Sequence, residues 1–176
     1  MEKVRVPCTI LAVAGLLVLA PLAARGADTA AQAKAMIEAK SRSPVAGTAT
    51  FTELANGGVK VVVHIEQAPP GTHGFHIHEK GDCSAPDAMS AGAHFNPAGN
   101  PHAGPMDKAC HNGDLGNIEV GQDGKGHLEI VDDLVTVKPG PASVVGKSLI
   151  FHEKVDDLKT QPAGNSGARL GCGVIQ

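Results

Sequence analysis

The histidines of this chain stand in patterns that suit metal binding. Nine histidines occur among 176 residues, and two of them form the His-x-His pair His76 and His78. Because side chains two residues apart on a β-strand point to the same face, a strand here would present both imidazoles together. The pair therefore predicts a bidentate site on a rigid support. Two histidines with a purely structural role remain the alternative for this pair taken alone.

A second group of ligand types lies in the glycine- and proline-rich segment that follows. Its members are His94, His102, His111 and Asp114. Glycine and proline between them favour turns, so the chain can curl and bring these residues together. Three imidazoles and one carboxylate can close a tetrahedral zinc site. A polar loop with incidental histidines is the alternative.

One further histidine, His152, ends an apolar run at residues 148–151 and precedes Asp156 and Asp157. Imidazole ligands without a thiolate favour copper or zinc over calcium or magnesium. A carboxylate that accepts the spare N–H of a ligating imidazole fixes its tautomer and orientation. The acidic pair is therefore expected to support metal ligands.

Short strands have to position these residues. Apolar or alternating runs predict strands at residues 45–54, 59–65, 74–78, 117–120, 127–131, 134–137, 148–152 and 169–175. The first two join across Asn56-Gly57, a strong hairpin signal. Eight short strands separated by turn residues predict an all-β antiparallel sandwich or barrel. Two long connections, 79–112 and 153–168, hold most of the reactive side chains and are expected to be functional.

Composition excludes several classes of protein. The chain has 22 Gly and 12 Pro, four Phe and no Trp or Tyr, so turns are frequent and helix bundles or coiled coils are poor candidates. A hydrophobic content of 42% in 176 residues suits one domain. The formal charge of −3 comes without a basic stripe, so nucleic acid is not an expected partner.

The first 26 residues are typical of an export signal. Lys3 and Arg5 precede a short apolar run at residues 10–22, and Ala24 and Gly26 suit a cleavage site. The run is too short for the roughly 30 Å core of a membrane, although an anchor is the alternative. We therefore expect a periplasmic or secreted protein with no stable membrane association after cleavage.

The remainder divides at residue 44. Residues 27–43 are Ala-rich and polar, which predicts a tail or linker, and residues 44–176 form the predicted domain. Export permits a disulfide among Cys83, Cys110 and Cys172, and the residues alone leave three pairings open.

Five stretches, in this order, closely resemble copper–zinc superoxide dismutases. They are Gly74-Phe75-His76-Ile77-His78-Glu79, His94-Phe95-Asn96-Pro97, His111-Asn112-Gly113-Asp114-Leu115-Gly116-Asn117, Phe151-His152-Glu153-Lys154 and Arg169-Leu170-Gly171-Cys172-Gly173-Val174-Ile175. The resemblance runs from about residue 44 to residue 176. It implies an eight-stranded antiparallel Greek-key barrel or sandwich.

The resemblance also implies one copper and one zinc ion per chain. Copper would be bound by His76, His78, His94 and His152, and zinc by His94, His102, His111 and Asp114, with His94 bridging the two. Asp156 would link His76 to His102, and Cys83 would form a disulfide with Cys172. Arg169 would lie beside copper to guide and hold an anion.

The implied function is the conversion of superoxide to dioxygen and hydrogen peroxide by ping-pong redox cycling of copper. Arg169 and His94 would be the catalytic residues, zinc would be structural, and Lys154 and Lys159 are candidates for attracting the substrate. This would serve antioxidant defence outside the cytoplasm.

Two other functions stay open: an exported copper- or zinc-binding module without turnover, and a barrel stabilised by zinc alone. The complete set of copper ligands together with Arg169 favours the enzyme. The oligomeric state is open between monomer and homodimer. Cys110 is open between a free thiol, an intermolecular disulfide and a metal or redox site.

Overall fold

The computed structural model describes residues 30–176. It contains eight β-strands: β1 Gln32–Ala39, β2 Ala46–Glu53, β3 Val59–Glu66, β4 Gly71–His78, β5 Asp114–Val120, β6 Gly126–Asp132, β7 Ser148–His152 and β8 Arg169–Val174. A 3-10 turn at Met89–Ala91 is the one helical element in this part of the chain. No helix of residues 30–176 has the length and apolar character to cross a membrane. The predicted export signal at residues 1–26 lies outside the described residues.

The strands close into a barrel in the order β1-β2-β3-β6-β5-β4-β7-β8. All strand pairs are antiparallel. Neighbours that are distant in sequence, β3 with β6 and β4 with β7, give the sheet Greek-key connections. The predicted all-β antiparallel barrel is confirmed.

The core follows the two-residue period of the strands. On β3 the side chains Val59, Val61, Val63 and Ile65 are buried, while the residues between them lie on the outer face. Phe51, Phe75 and Phe151 are fully buried in the same interior. Burying one such side chain contributes roughly 1.5 to 3 kcal/mol, so this interior is the main source of barrel stability.

The prediction of a tail or linker at residues 27–43 is wrong for Gln32–Ala39. This segment is β1, paired with β2 along its length and with β8 at its end. Ala33, Ala35 and Ile37 point inward and alternate with exposed polar residues and one methionine. Alanine has little preference for strands, so the alternation in this segment is only weak evidence for a strand. The segment forms a strand because it pairs with β2 and β8.

The strand predicted at residues 134–137 is also wrong. Only an isolated bridge between Thr136 and Ser143 forms in this region. The count of eight strands holds because β1 takes the place of this segment. Residues 133–147 are instead a third long connection, between β6 and β7.

The two long connections predicted to be functional follow β4 and β7. The first is fastened to β4 by backbone hydrogen bonds, in which Phe95 N–H donates to the Ile77 carbonyl and Ile77 N–H donates to the Gly113 carbonyl. Any Cβ at Gly113 would collide with the Ile77 carbonyl, so this crossing requires glycine. The connection is thereby held rigidly over one end of the barrel.

Candidate metal centre

Two groups of four buried side chains meet under the long connections and share His94. One group is His76, His78, His94 and His152, and the other is His94, His102, His111 and Asp114. Within each group the potential ligand atoms lie within 4.8 Å of one another. All members are at most 7% exposed. The structure thus brings together all seven side chains that the sequence nominates as metal ligands.

Strands β4 and β7 position the first group. His76 and His78 lie on β4 beside a register shift between Gly74 and His76, and His152 ends the neighbouring strand β7. A bulge of this kind re-aims side chains that would otherwise alternate strictly. His94 comes from the loop and pairs with His78 in an isolated bridge. The ring centroids of His76 and His94 are 4.0 Å apart.

Each imidazole of the first group has one buried nitrogen without a hydrogen-bond partner among residues 30–176. These atoms are His76 Nδ1, His78 Nε2, His94 Nε2 and His152 Nε2. An unpaired buried polar atom costs about 1–3 kcal/mol, so four in one place would be strongly destabilising without a ligand. A metal ion bound by all four lone pairs removes this cost. Neutral imidazoles without a thiolate suit copper, so the donor set fits that ion.

The opposite nitrogens of these rings are held by fixed partners. His76 Nε2 lies 2.8 Å from Asp156 Oδ2, His78 Nδ1 lies 2.9 Å from the Gly92 carbonyl, and His152 Nδ1 lies 3.4 Å from the Gly167 carbonyl. Carboxylate and carbonyl oxygens accept, so the N–H of each ring is on this outer nitrogen. The lone pair of each ring therefore faces the centre of the group.

Burial keeps these imidazoles neutral. It lowers the pKa of His76 to about 4, against the opposing hydrogen bond to Asp156. It also lowers the pKa values of His78 and His152 well below the usual range, and the nearby His94 or His76 adds to the effect. A metal ion binds only neutral imidazole, so these rings are ready for it at neutral pH.

The second group converges on one carboxylate oxygen. The Nδ1 atoms of His94, His102 and His111 lie 2.8, 3.0 and 3.2 Å from Asp114 Oδ1. Asp114 Oδ2 accepts backbone N–H groups of Ala103 and His111, which fixes the carboxylate. Three imidazole nitrogens and one oxygen at one point match the tetrahedral ligand set of zinc.

Asp114 is ionised in this setting. Burial opposes its charge, but hydrogen bonds from His102 and His94 outweigh burial and hold its pKa far below the usual range. His94 uses its Nδ1 in this group while its Nε2 faces the first group. One ring therefore offers a nitrogen to each of the two metal positions.

Asp156 joins the two groups from behind. Its Oδ2 lies 2.8 Å from His76 Nε2, and its Oδ1 lies 2.9 Å from His102 Nε2. Its own backbone is held by Asn117, which accepts the Asp156 N–H at 2.8 Å and donates to its carbonyl at 3.0 Å. Sequence reasoning gave Asn117 no role, because only the fold brings two residues 39 positions apart into contact.

Arg169 faces the open side of the first group. It begins β8, opposite His152 in the register, and both residues line a cleft of about 1330 Å³ with His78 and His94. Its Nη1 donates to the Ala88 carbonyl and its Nη2 to the Gly92 carbonyl, each at 2.8 Å. Since His78 donates to the same Gly92 carbonyl, one loop position orients both the arginine and an imidazole.

Two lysines also line this cleft. The sequence predicts this position for Lys154 but gives no signal for Lys147. Lys147 Nζ lies 4.9 Å from the centroid of the Phe95 ring, so a cation–π contact holds its ammonium group near the rim. Lys159 is not among the residues that line the cleft.

The cysteine pairing left open by the residues is settled. Cys83 and Cys172 form the disulfide that the family resemblance implied, and it ties the loop after β4 to β8. Cys110 is a free thiol that is 1% exposed. Burial raises its pKa to about 11, and the charge of Asp114 adds to this effect. Of the three interpretations of Cys110, the buried free thiol agrees with this environment.

Comparisons with known proteins agree with this geometry. Residues 45–175 match a family model described as copper/zinc superoxide dismutase (SODC). A solved structure titled as that of the clock protein EA4 is similar, with 38% sequence identity and a TM-score of 0.75. The alignment covers 85% of this chain and 96% of that chain.

Proposed function

We propose that this chain, which belongs to the copper/zinc superoxide dismutase family, works outside the cytoplasm by ping-pong redox cycling at a single copper ion. It is an oxidoreductase that binds copper and zinc and takes superoxide as substrate. The observation that best supports the proposal is the set of four partnerless imidazole nitrogens facing one another beside Arg169.

We assign copper to His76, His78, His94 and His152, because these rings form the all-imidazole group and three of them line the cleft. We assign zinc to His94, His102, His111 and Asp114, whose one carboxylate and three imidazoles make a closed tetrahedral set. His94 then bridges the metals. The zinc position holds this ring in place and has a structural role.

Bound copper supplies a one-electron exchange, by which one superoxide is oxidised to dioxygen and a second is reduced to hydrogen peroxide with two protons. Arg169 binds the anion, because its guanidinium is fixed by two carbonyls and keeps further N–H groups for the substrate. In the second half of the cycle we propose that His94 Nε2 would release copper, hold a proton, and give that proton to the reduced substrate as it binds copper again.

Positive charge at the cleft has to overcome the repulsion between the negatively charged protein and its anionic substrate. The chain carries a formal charge of −3, and the substrate is an anion. Arg169, Lys147 and Lys154 outnumber the two acidic residues of the cleft lining, Glu79 and Asp87, so the cleft has a net positive charge that can focus the field there. The attraction of substrate is thus proposed to be local.

Export is supported by two separate features. Residues 1–26 have the charged, apolar and small-residue regions of a signal peptide. The Cys83–Cys172 disulfide suits an oxidising compartment. We therefore propose a periplasmic or secreted location, and the mass of the exported protein tests it. A mature chain starting at Ala27 is expected, whereas an intact N-terminus would contradict cleavage.

The function is tested by removing one copper ligand. In His152→Ala we expect loss of copper and of dismutation with zinc retained, measured by metal analysis and superoxide consumption. Lys159→Ala, outside the cleft, is the control and keeps both metals and the activity. Full loading with both metals and no dismutation in the unaltered protein would favour a metal-binding module without turnover.

A further inference from the structure

Two histidines outside the metal centre face each other across neighbouring strands. His64 on β3 and His127 on β6 are directly opposite in the antiparallel register. Both are exposed, and their Nδ1 atoms lie 3.3 Å apart. Their ring centroids are 4.7 Å apart, with the ring planes tilted by 32°.

The other seven histidines are buried and have other partners or roles. Six histidines belong to the metal centre. The remaining one, His73, is 4% exposed, and both of its ring nitrogens face backbone carbonyls at 2.9 Å. His64 and His127 are therefore the two imidazoles of the chain that lie exposed and outside the metal centre.

The distance between the two Nδ1 atoms matches that between two imidazole nitrogens bound to one metal ion. Zinc–imidazole bonds of about 2.0–2.1 Å at a tetrahedral angle place two nitrogens roughly 3.3 to 3.4 Å apart. The observed 3.3 Å falls in that range without any change of rotamer. The same 3.3 Å contact also allows a hydrogen bond from the N–H of one ring to the lone pair of the other, which a bound metal ion would replace.

Acidic and basic side chains share the outer face with the two histidines. Glu66 lies two residues after His64 and Glu129 two residues after His127, so each carboxylate shares the outer face with its neighbouring imidazole. Glu129 is paired with Lys60 at 2.7 Å, while Glu66 is exposed. Lys60 and the exposed Lys125, two residues before His127, offset these two negative charges, so the case for a cation rests on the spacing of the two imidazole nitrogens.

We propose that His64 and His127 chelate a divalent transition metal, Zn²⁺ or Cu²⁺, at a third site on the outer surface of the barrel. Imidazole pairs suit both ions, and the general order of affinities places Cu²⁺ above Zn²⁺. Water completes the coordination on the solvent side. The chelate clamps β3 to β6, two strands whose histidines are 63 residues apart in sequence.

This site is independent of the metal centre. In the closed barrel, β3 lies three strands from β4, and β6 lies two strands from β4. The metal centre is built on β4, β7, the connection before β5, and Asp114 at the start of β5. Strand β6 pairs with β5 at Val120, the end of β5 away from Asp114. Neither His64 nor His127 belongs to either group of ligands there.

The test titrates Zn²⁺ into untagged protein already loaded with one copper and one zinc, by calorimetry and by counting bound zinc. Zn²⁺ is the probe because it leaves the copper count interpretable. We expect one additional zinc per chain. His64→Gln and His127→Gln should each weaken its binding at least tenfold, and the double variant should bind no more weakly than either single variant, because a chelate needs both rings.

Lys34→Gln, on the outer face of β1, is the matched surface control and should bind the additional zinc like the unaltered protein. Excess Zn²⁺ should also raise the melting temperature of the unaltered protein but not of either histidine variant. Unchanged copper content and dismutation in these variants show that they are folded. Absence of an additional zinc in the unaltered protein overturns the proposal. Full binding of the additional zinc by the double variant also overturns it. So does a loss of only half of the additional zinc in each single variant.

Discussion

Asp156 illustrates how one side chain sets the geometry of two candidate metal positions. Both of its oxygens accept ring N–H groups, from His76 and from His102. Burial opposes its charge, but the hydrogen bonds from His102 and His76 outweigh burial and keep its pKa well below the usual range. A neutral replacement of the same shape would therefore lose one of the two contacts.

We expect Asp156→Asn to weaken zinc binding by roughly 10- to 100-fold, the usual effect of losing the partner of a ligand. The amide oxygen can accept from only one imidazole, and the amide NH₂ then faces the N–H of the other. Zinc release to a chromophoric chelator measures this. Asp157→Asn is the control, because Asp157 is exposed and bonds to Thr160. Equal release rates in the two variants would contradict this role.

Asp132 is expected to make the folded protein less stable as pH rises. Burial raises its pKa from 3.8 to about 6, with a contribution from Asp133. The folded state therefore binds more protons than the unfolded state between about pH 4 and 6, so stability falls as pH rises through this window. Above pH 6 the full cost of the partly buried charge is present.

Asp132→Asn should consequently raise the free energy of unfolding at pH 7.5 by about 1–3 kcal/mol and have little effect below pH 4. The amide oxygen can still accept the Leu134 N–H, which Asp132 accepts at 2.8 Å. Urea unfolding at the two pH values measures the difference. Asp133→Asn, at the exposed neighbouring position, should change it far less. A gain of the same size at low pH would exclude the proposed cause.

Among the elements, the loop after β4 depends on its covalent tie to β8. The Cys83–Cys172 disulfide holds the segment whose Ala88 and Gly92 carbonyls orient Arg169. Removing a native disulfide from a small exported domain typically costs about 2–5 kcal/mol. Removing the disulfide should therefore disturb the position of Arg169 in the cleft as well as lower the free energy of unfolding.

We expect Cys83→Ser to lower the melting temperature and the dismutation rate per bound copper, because Arg169 loses a fixed position. Thermal unfolding and superoxide decay, each normalised to metal content, measure the two effects. Cys110→Ala leaves the disulfide intact and should keep the rate per copper. An unchanged rate in Cys83→Ser would show that the arginine is positioned without the disulfide.

The strands and the metal ligands could largely be predicted from the sequence because their signals are local. Valine alternation marks β3, and the His76 and His78 pair needs only the two-residue period of a strand. The alternation in β1 relies on alanine, so the sequence favours a linker where the structure has a strand. Asn117, Lys147 and the facing of His64 with His127 arise from contacts between distant segments, so local patterns could not predict them.

For the whole molecule, charge distribution decides how substrate arrives. The chain is negative overall, while Arg169, Lys147 and Lys154 line the cleft. Attraction by these groups should weaken as salt screens it over about 10 Å at 0.1 M ionic strength. The second-order rate with superoxide is therefore expected to fall as salt increases.

Arg169→Ala should lower that rate and flatten its dependence on salt, with copper and zinc content unchanged. Lys147→Gln should show a smaller change in the same direction, and Lys159→Gln, outside the cleft, should show none. Superoxide decay over a series of ionic strengths separates these variants. A full rate in Arg169→Ala would rule out its part in holding the anion.

The central claim, that copper held by four imidazoles turns over superoxide, is tested most directly by the rate of superoxide decay as a function of bound copper. We predict that protein loaded with zinc alone leaves decay at its spontaneous rate, and that the rate then rises in proportion to copper up to one ion per chain. Spontaneous decay with both metals fully bound would contradict the account.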